Sequence, residues 1–242
     1  MKGLERKISI IIPACNEEKR IERCLVSYLN YFTGNCEILV VLNGCHDNTL
    51  EIVKTVSARY PSLKYRNIAE SIGKGGALIV GFRLVKGDII AYVDADGATS
   101  PEELARLIDN IGEYDGILGS RWLRDSVIPK KQSLSRKVAS RGFNILVRGL
   151  FLFPYKDTQC GAKVFKKGVI KSVVNELGIT NFAFDIDLLY QIHKKGYKIK
   201  EFPTIWADQD TSTLDLKRVA PIMLASVVRL RLKHSLFKNL IG

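Results

Sequence analysis

Four apolar stretches fix the architecture. Ile8–Ile12, Glu37–Leu42, Ile89–Val93 and Ile117–Ser120 each read as a buried strand, with helix-period segments between them. Ile21, Leu25, Tyr28 and Leu29 recur at helical spacing in a segment opened by Asn16-Glu17-Glu18 and running to about Tyr31. Asp47 or Asn48 caps a second helix to about Ala58, Lys64–Asn67 is a short strand, Gly73-Lys74-Gly75-Gly76 opens a helix to about Val85, and Glu102–Ile111 is helical. This alternation up to Arg121 predicts an α/β fold, with one mostly parallel, Rossmann-like sheet carrying helices on both faces in a single domain. Ligands of such sheets lie beyond the carboxyl ends of the strands. Asn16/Glu17, Asn43–Asp47, Asp94/Asp96 and Ser120/Arg121 each follow a strand, so the rule gathers them at one edge.

The strongest chemical signal is Asp94-Ala95-Asp96. Residues two apart on an extended chain project to the same side, so a strand reaching this point would present both carboxylates to one spot. Hard anionic oxygens suit Mg²⁺ or Mn²⁺, which also take phosphate oxygens and water. A helix cap is the competing explanation, but Ser100, followed by Pro101-Glu102-Glu103, fills that role and leaves both aspartates unexplained.

Thirty-seven Lys and Arg against twenty-five Asp and Glu give a net charge of +12, which calls for an acidic partner: nucleic acid, an anionic membrane or a phosphorylated ligand. No aromatic-interleaved basic ladder is present, so nucleic acid is not the expected partner. The five cysteines lack C-x-x-C spacing and read as reduced thiols; with no signal peptide at the start and no apolar run approaching about 20 residues, the sequence points to a cytoplasmic protein without a transmembrane helix.

Beyond Arg121 the chain changes character. Residues 124–141 are rich in Lys and Arg, Phe143–Phe153 is strongly apolar, Asp157–Phe165 is a loop entering a short strand, Ala183–Lys195 is a helix, Lys198–Trp206 a strand and Asp208–Thr213 a polar loop. Leu216, Val219, Met223, Val227, Leu230, Phe237 and Ile241 then line one helical face, with Lys217, Arg218, Arg229, Arg231, Lys233 and Lys238 off it. Such a basic amphipathic helix lies on an anionic membrane or packs on the domain with a solvated basic side. The expected division is therefore a domain over residues 1–213, with halves at about 1–121 and 122–213, and a terminal helix over 214–242.

Weaker signals are open to two readings. Gly73-Lys74-Gly75-Gly76 could cradle phosphate with backbone N–H groups, or simply start a helix; its spacing is not that of a P-loop. Arg121, Arg136 and Arg141 supply cations near the sheet edge, with the Ser140 hydroxyl beside them, suited to forked recognition of phosphate or to a solvated surface. Asp185 and Asp187 stand near a helix start as dipole partners or site residues. The three histidines lack metal-ligand spacing.

In this order, SIIIPACNEE, NGCHDNT, GKGGAL, VDADGAT, GSR, RKVAS, DTQCGAKVF, FDIDLLY and RLRLK resemble glycosyltransferase family 2 over nearly the whole chain, specifically the polyprenyl-phosphate (dolichyl-phosphate) sugar synthases; VDADGATSP and AFDIDLLY look more like the β-glucosyltransferase branch. The resemblance implies a GT-A fold and inverting transfer of a hexose from a nucleotide sugar (UDP-glucose, then GDP-mannose) to a polyprenyl or dolichyl phosphate, with Mg²⁺ or Mn²⁺ as cofactor. Pro13, Ala14, Asn16, Glu17, Asn43, Asp47, Gly73, Lys74, Asp94, Ala95 and Asp96 would meet the nucleotide sugar. Asp94 and Asp96 would hold the metal, and Asp96, Arg121 and Arg136 would carry catalysis. Arg121, Arg136, Ser140, Asp157, Gln159 and Cys160 would form the acceptor side. The protein would sit peripherally on the cytoplasmic face of a membrane. Three departures stand out: Leu42-Asn43 replaces an acidic pair, Ala98 stands where mannosyl relatives often carry Gln, and Thr211-Ser212-Thr213 replaces G-S-K. A soluble sugar or protein acceptor is the alternative within enzymes and needs a base, Asp185 or Asp187; a basic nucleotide- or nucleic-acid-binding module is the alternative outside them.

Overall fold

The computed structural model describes residues 6–128, 134–207 and 216–235, those of 134–139 and 216–218 by their backbone alone. In chain order the elements are β1 (Ile8–Ala14), α1 (Ile21–Tyr31), β2 (Cys36–Asn43), α2 (Thr49–Arg59), β3 (Leu63–Ile68), α3 (Gly73–Leu84), β4 (Ile89–Tyr92), α4 (Pro101–Asp109), β5 (Gly116–Ser120), α5 (Leu134–Phe151), β6 (Lys163–Lys166), α6 (Lys167–Val173), α7 (Phe184–Lys194), β7 (Ile199–Pro203) and α8 (Leu216–Lys233).

The strands form one seven-stranded sheet in the order β3-β2-β1-β4-β6-β5-β7. All neighbours are parallel except where β6 runs antiparallel between β4 and β5. Every residue of β1 is buried, and the reason is visible in its alternation. Ile8, Ile10, Ile12 and Ala14 enter a core with Leu25, Val53 and Leu104 on one face, and Ile11 enters a second core with Leu78, Phe82 and Leu188 on the other. A strand covered on both faces must be apolar throughout, which made these runs legible. Truncating a core side chain such as Leu25 to alanine costs about 2–5 kcal/mol.

Several local expectations shift. α1 begins at Ile21 after a turn, with Asn16 in the left-handed region at φ 55°. β4 stops at Tyr92, and β7 stops at Pro203 rather than Trp206. Ser100 caps α4 as expected, its Oγ accepting the Glu103 N–H at 3.3 Å ahead of Pro101. The Asp208–Thr213 loop, Phe237, Lys238 and Ile241 lie outside the described residues.

α8 resolves its two readings in favour of packing. Met223, Val227 and Leu230 of the apolar stripe are buried in the second core, and Arg231 Nε donates to Leu150 O of α5 at 2.8 Å. That stripe is therefore not the surface that meets a membrane. Likewise Val147, Phe151 and Phe153 of the apolar segment are buried. The exposed apolar residues of these two helices are others: Ile145 and Leu146, then Ile222, Leu224, Val228 and Leu232, with Leu152 just beyond α5 at 84% exposure. No helix among the described residues is long and apolar enough to cross a membrane.

Candidate active site

Asp94 and Asp96 stand beyond the end of β4, at the carboxyl edge of the sheet. A turn brings them together, rather than strand alternation, because β4 has already ended and residues 95–96 turn. Asp94 Oδ1 lies 2.6 Å from Lys74 Nζ, and Asp96 Oδ1 accepts the Ala98 N–H at 2.9 Å. Burial, reinforced by the Asp94 charge, raises the Asp96 carboxyl above its ordinary value. Glu17 is raised too, chiefly by burial, with Arg20 opposing and the two aspartates adding to the rise. Among the described residues no three acid, histidine or cysteine groups converge on a metal position. The hard-oxygen pair fits a divalent cation that completes its shell from phosphate and water, and one oxygen of each carboxylate has no hydrogen-bond partner among the described residues.

The wall behind this pair is a buried network that the sequence did not reveal. Lys163, fully buried, donates to Cys160 O at 2.6 Å and to Asp185 Oδ1 at 2.7 Å, and the Tyr92 hydroxyl donates to the same carboxylate. Burial raises Asp185, but Lys163 and Lys74 outweigh it and hold the carboxyl below its usual value. Asp187 accepts the N–H groups of Gly178 and Ile179 and a bond from Gln191. Both acids are structural and sealed, at 2% and 1% exposure, so neither is placed as a solvent-facing base. Gly161 was also missed: a Cβ there would stand 2.0 Å from Asp94 Oδ2, so only glycine lets the acid occupy its place.

Asn16, Glu17 and Asp47 knit the β1–α1 and β2–α2 loops. Asn16 Oδ1 accepts the His46 N–H, Asp47 accepts from Thr49 and from the Glu18 N–H, and the Glu17 N–H donates to Thr49 Oγ1. Pro13 and Ala14 end β1 in the interior beside them. Asn43 is 4% exposed, and its Oδ1 has no partner among the described residues. Gly73 (φ +74°) is required by close packing, since a Cβ would meet Thr180 O at 2.4 Å; the Gly76 N–H donates to that same oxygen. The glycine-rich turn is therefore a helix start packed on residues 179–181, and Lys74 is its contribution to the site.

Across the edge, Arg121 follows β5. Its Nε and Nη2 donate to Asp157 at 2.7 and 2.9 Å, and its backbone N–H donates to the same carboxylate. Asp157 is completely buried, and Arg121 holds its carboxyl below the ordinary value against the effect of burial. Asp157 thus holds Arg121 and is not itself presented to an acceptor. Both tryptophans of the chain flank that guanidinium, Trp206 at 5.3 Å and Trp122 at 5.8 Å, and Arg141 lies 4.8 Å from the Trp122 ring. Ser140 is half-buried on α5, and the Gln159 backbone N–H donates to Asp157. Cys160 is a core residue at 0% exposure between the sheet and α4, its thiol pushed up to about 11 by burial, so it is not at an acceptor surface. The Arg136 side chain lies outside the described residues.

The family model described as Glycosyl transferase family 2 matches residues 9–174. Glycosyltransferase AglD of Haloferax volcanii is 32% identical over 219 residues, covering 88% of this chain and 35% of the relative. The dolichyl-phosphate beta-glucosyltransferases of Dictyostelium discoideum and Saccharomyces cerevisiae are 32% and 28% identical, each match covering 95% of this chain and 75% of the relative. The chain thus spans about a third of AglD and three quarters of the other two. Glucosyl-3-phosphoglycerate synthase of Mycobacterium tuberculosis, solved with Mn²⁺, UDP and phosphoglyceric acid, has a TM-score of 0.71 at 17% identity, covering 95% of this chain and 78% of that one. Mannosyltransferase PcManGT of Pyrobaculum calidifontis, solved with GDP-Man and Mn²⁺, has a TM-score of 0.63 at 17% identity, covering 93% and 63%. These two likenesses establish the GT-A fold expected above. The family match over residues 9–174 shows that the chain belongs to glycosyltransferase family 2.

Proposed function

We propose that this glycosyltransferase moves a hexose from a nucleotide sugar, UDP-glucose in preference to GDP-mannose, onto a polyprenyl phosphate, with Mg²⁺ or Mn²⁺ held by Asp94 and Asp96. The observation that carries the reading is the juxtaposition at one sheet edge of the Asp94–Asp96 pair, with Lys74 on Asp94, and a guanidinium locked by Asp157. A bound divalent cation supplies charge stabilisation for the departing nucleoside diphosphate. Lys74 stands beside the acid pair for the diphosphate. Arg121, with Arg136 and Ser140, holds the acceptor phosphate. A phosphate monoester is mostly ionised at neutral pH, its second pKa being about 6, so the nucleophile needs no strong base. The sealed state of Asp185 and Asp187 agrees with that and removes the bases an uncharged acceptor would use. Attack in line with the leaving group inverts the anomeric carbon and gives a β-linked product.

The acceptor's lipid gives a role to the exposed apolar residues of α5 and α8. Ile145, Leu146, Ile222, Leu224, Val228 and Leu232 are interleaved with Arg148, Arg229, Arg231 and Lys233, a composition suited to an anionic membrane surface. The test is transfer from labelled UDP-glucose and GDP-mannose to polyprenyl phosphate with Mg²⁺ or Mn²⁺, alongside 3-phosphoglycerate as a water-soluble acceptor. Polyprenyl phosphate as the productive acceptor supports the reading, and transfer to the soluble phosphate alone overturns it. Sedimentation with anionic liposomes, weakening in high salt, tests the surface.

A further inference from the structure

One short segment joins the metal loop to the acceptor cation. After β7, the Thr204 N–H donates to Ser120 O at 3.3 Å, the Val127 N–H donates to Thr204 O at 3.1 Å, and the Trp206 N–H donates to Val127 O at 3.0 Å. Thr204 and Trp206 face inward at 1% and 9% exposure, while Ile205 between them faces out at 53%. The next N–H, that of Ala207, donates to Ala98 O at 3.0 Å, and the Ala98 N–H donates to Asp96 Oδ1 at 2.9 Å. The indole of Trp206 lies 5.3 Å from Arg121 Cζ. An unbroken series of direct contacts therefore runs from the Asp96 carboxylate through Ala98, Ala207 and Trp206 to the Arg121 guanidinium.

Pairing continues past β7 as far as a single parallel bridge between Val127 and Ile205, but it does not account for the bond from Ala207 to Ala98. Asp157 fixes the Nε and Nη2 side of the guanidinium, and hydrogen bonds along that edge do not by themselves fix the tilt of the plane. An aromatic ring over the cation restrains that tilt while using none of its N–H donors. Nη1 then keeps its hydrogens for a ligand, with no partner among the described residues.

We infer that Trp206 is a positioning residue that ties the orientation of Arg121 to the state of the Asp94–Asp96 loop, so that occupancy of the metal–nucleotide side raises affinity for the acceptor phosphate. The inference rests on the reading of Arg121 as the acceptor's cation. Linkage makes the effect reciprocal: the acceptor phosphate strengthens nucleotide binding by the same factor.

The test uses calorimetric titration of the full chain with farnesyl phosphate, with and without Mn²⁺ and UDP or GDP. Wild type should bind farnesyl phosphate more tightly once metal and nucleotide are present. Trp206→Ala should weaken that binding by roughly tenfold and abolish its dependence on nucleotide, with unchanged affinity for Mn²⁺ and nucleotide alone, while losing the buried indole lowers the melting temperature; Trp206→Phe should restore most of the binding and of the stability. Ala207→Pro, which keeps the indole but removes the N–H bonded to Ala98, should lose the dependence while keeping the basal affinity, and it decides the matter if Trp206→Ala does not fold. Wild-type coupling in both Trp206→Ala and Ala207→Pro, or a proportional fall in nucleotide affinity, overturns the inference. Arg121→Ala separates the two levels. Unchanged farnesyl phosphate affinity there removes the acceptor reading and the inference with it, whereas weakened binding in Arg121→Ala beside wild-type behaviour in Trp206→Ala removes the inference alone.

Discussion

The two sides of the crevice hold their charges in opposite ways. Asp94 and Asp96 crowd one another, burial and the Asp94 charge push the Asp96 carboxyl up, and one oxygen of each acid has no hydrogen-bond partner among the described residues. Arg121 is matched by a completely buried carboxylate and flanked by both tryptophans. The difference is what the proposed roles of the two sides require. A cation that arrives with one substrate needs ligands that are under-compensated without it. A cation belonging to the fold needs a counter-charge that never leaves, because an unpaired buried charge is costly.

The largest effect that bears on this contrast is on the locked side. Asp157→Leu leaves Arg121 without its counter-charge and should destabilise the fold by about 3–5 kcal/mol, which lowers the melting temperature on the order of 10 °C in calorimetry. Adding Arg121→Met should recover most of that stability, since apolar replacement of a buried pair is often neutral, while leaving transfer abolished. If the double variant is as unstable as the single one, the pair is not the unit described here. The same pair gives a pH dependence. Asp157 has a lowered carboxyl in the fold, so its stabilisation is complete above the ordinary aspartate range and is lost as pH falls through the depressed value. The double variant should lose less stability than wild type on acidification.

On the open side the expectation is reversed. Asp96→Asn removes like-charge crowding and should leave the melting temperature unchanged or slightly higher, yet reduce turnover roughly a hundredfold or more, because a direct ligand matters more than the outer-shell groups whose loss costs about 10–100-fold. Mn²⁺ with nucleotide should raise the melting temperature of wild type but not of this variant. A loss of stability in Asp96→Asn would mean that the acid is structural. Gly161→Ala asks the same of position instead of charge. Its Cβ displaces Asp94, so Mn²⁺ affinity read by electron paramagnetic resonance should fall about tenfold; wild-type affinity would show that Asp94 is not a ligand.

The contrast also explains how much the sequence disclosed. The acid pair was legible because its members are neighbours at the end of an apolar run, and the doubly covered sheet because its central strands are apolar throughout. Arg121 was legible as a residue following a strand, but its lock was not: Asp157 is 36 residues away, and an acid in a loop reads equally well as a ligand contact. The Tyr92–Asp185 and Lys163–Asp185 bonds span 93 and 22 residues and join through the insertion of β6 between β4 and β5, a strand order that local periodicity does not encode. The stripe on α8 was legible as amphipathic. Its direction was not, because Ile222, Leu224, Val228 and Leu232 make the other side apolar as well, and only the fold decides which side is covered.

The smallest predicted effect concerns what keeps the open side in place. Two supports meet at the Asp94–Asp96 loop: α4, capped by Ser100 immediately downstream, and the bond from Ala207 to Ala98. Ser100→Ala removes the cap and should cost about 1 kcal/mol of stability, a shift of a few degrees in the melt. The hydrogen bond to Asp96 comes from the Ala98 N–H, upstream of the cap, and Ala98 is anchored separately through its carbonyl. Mn²⁺ affinity and turnover should therefore match wild type in Ser100→Ala, while Ala207→Pro leaves the cap intact and changes the response of the acceptor side. If Ser100→Ala instead weakens Mn²⁺ binding, the first turn of α4 supports the acids, and the open side owes its geometry to its own helix more than to the segment after β7.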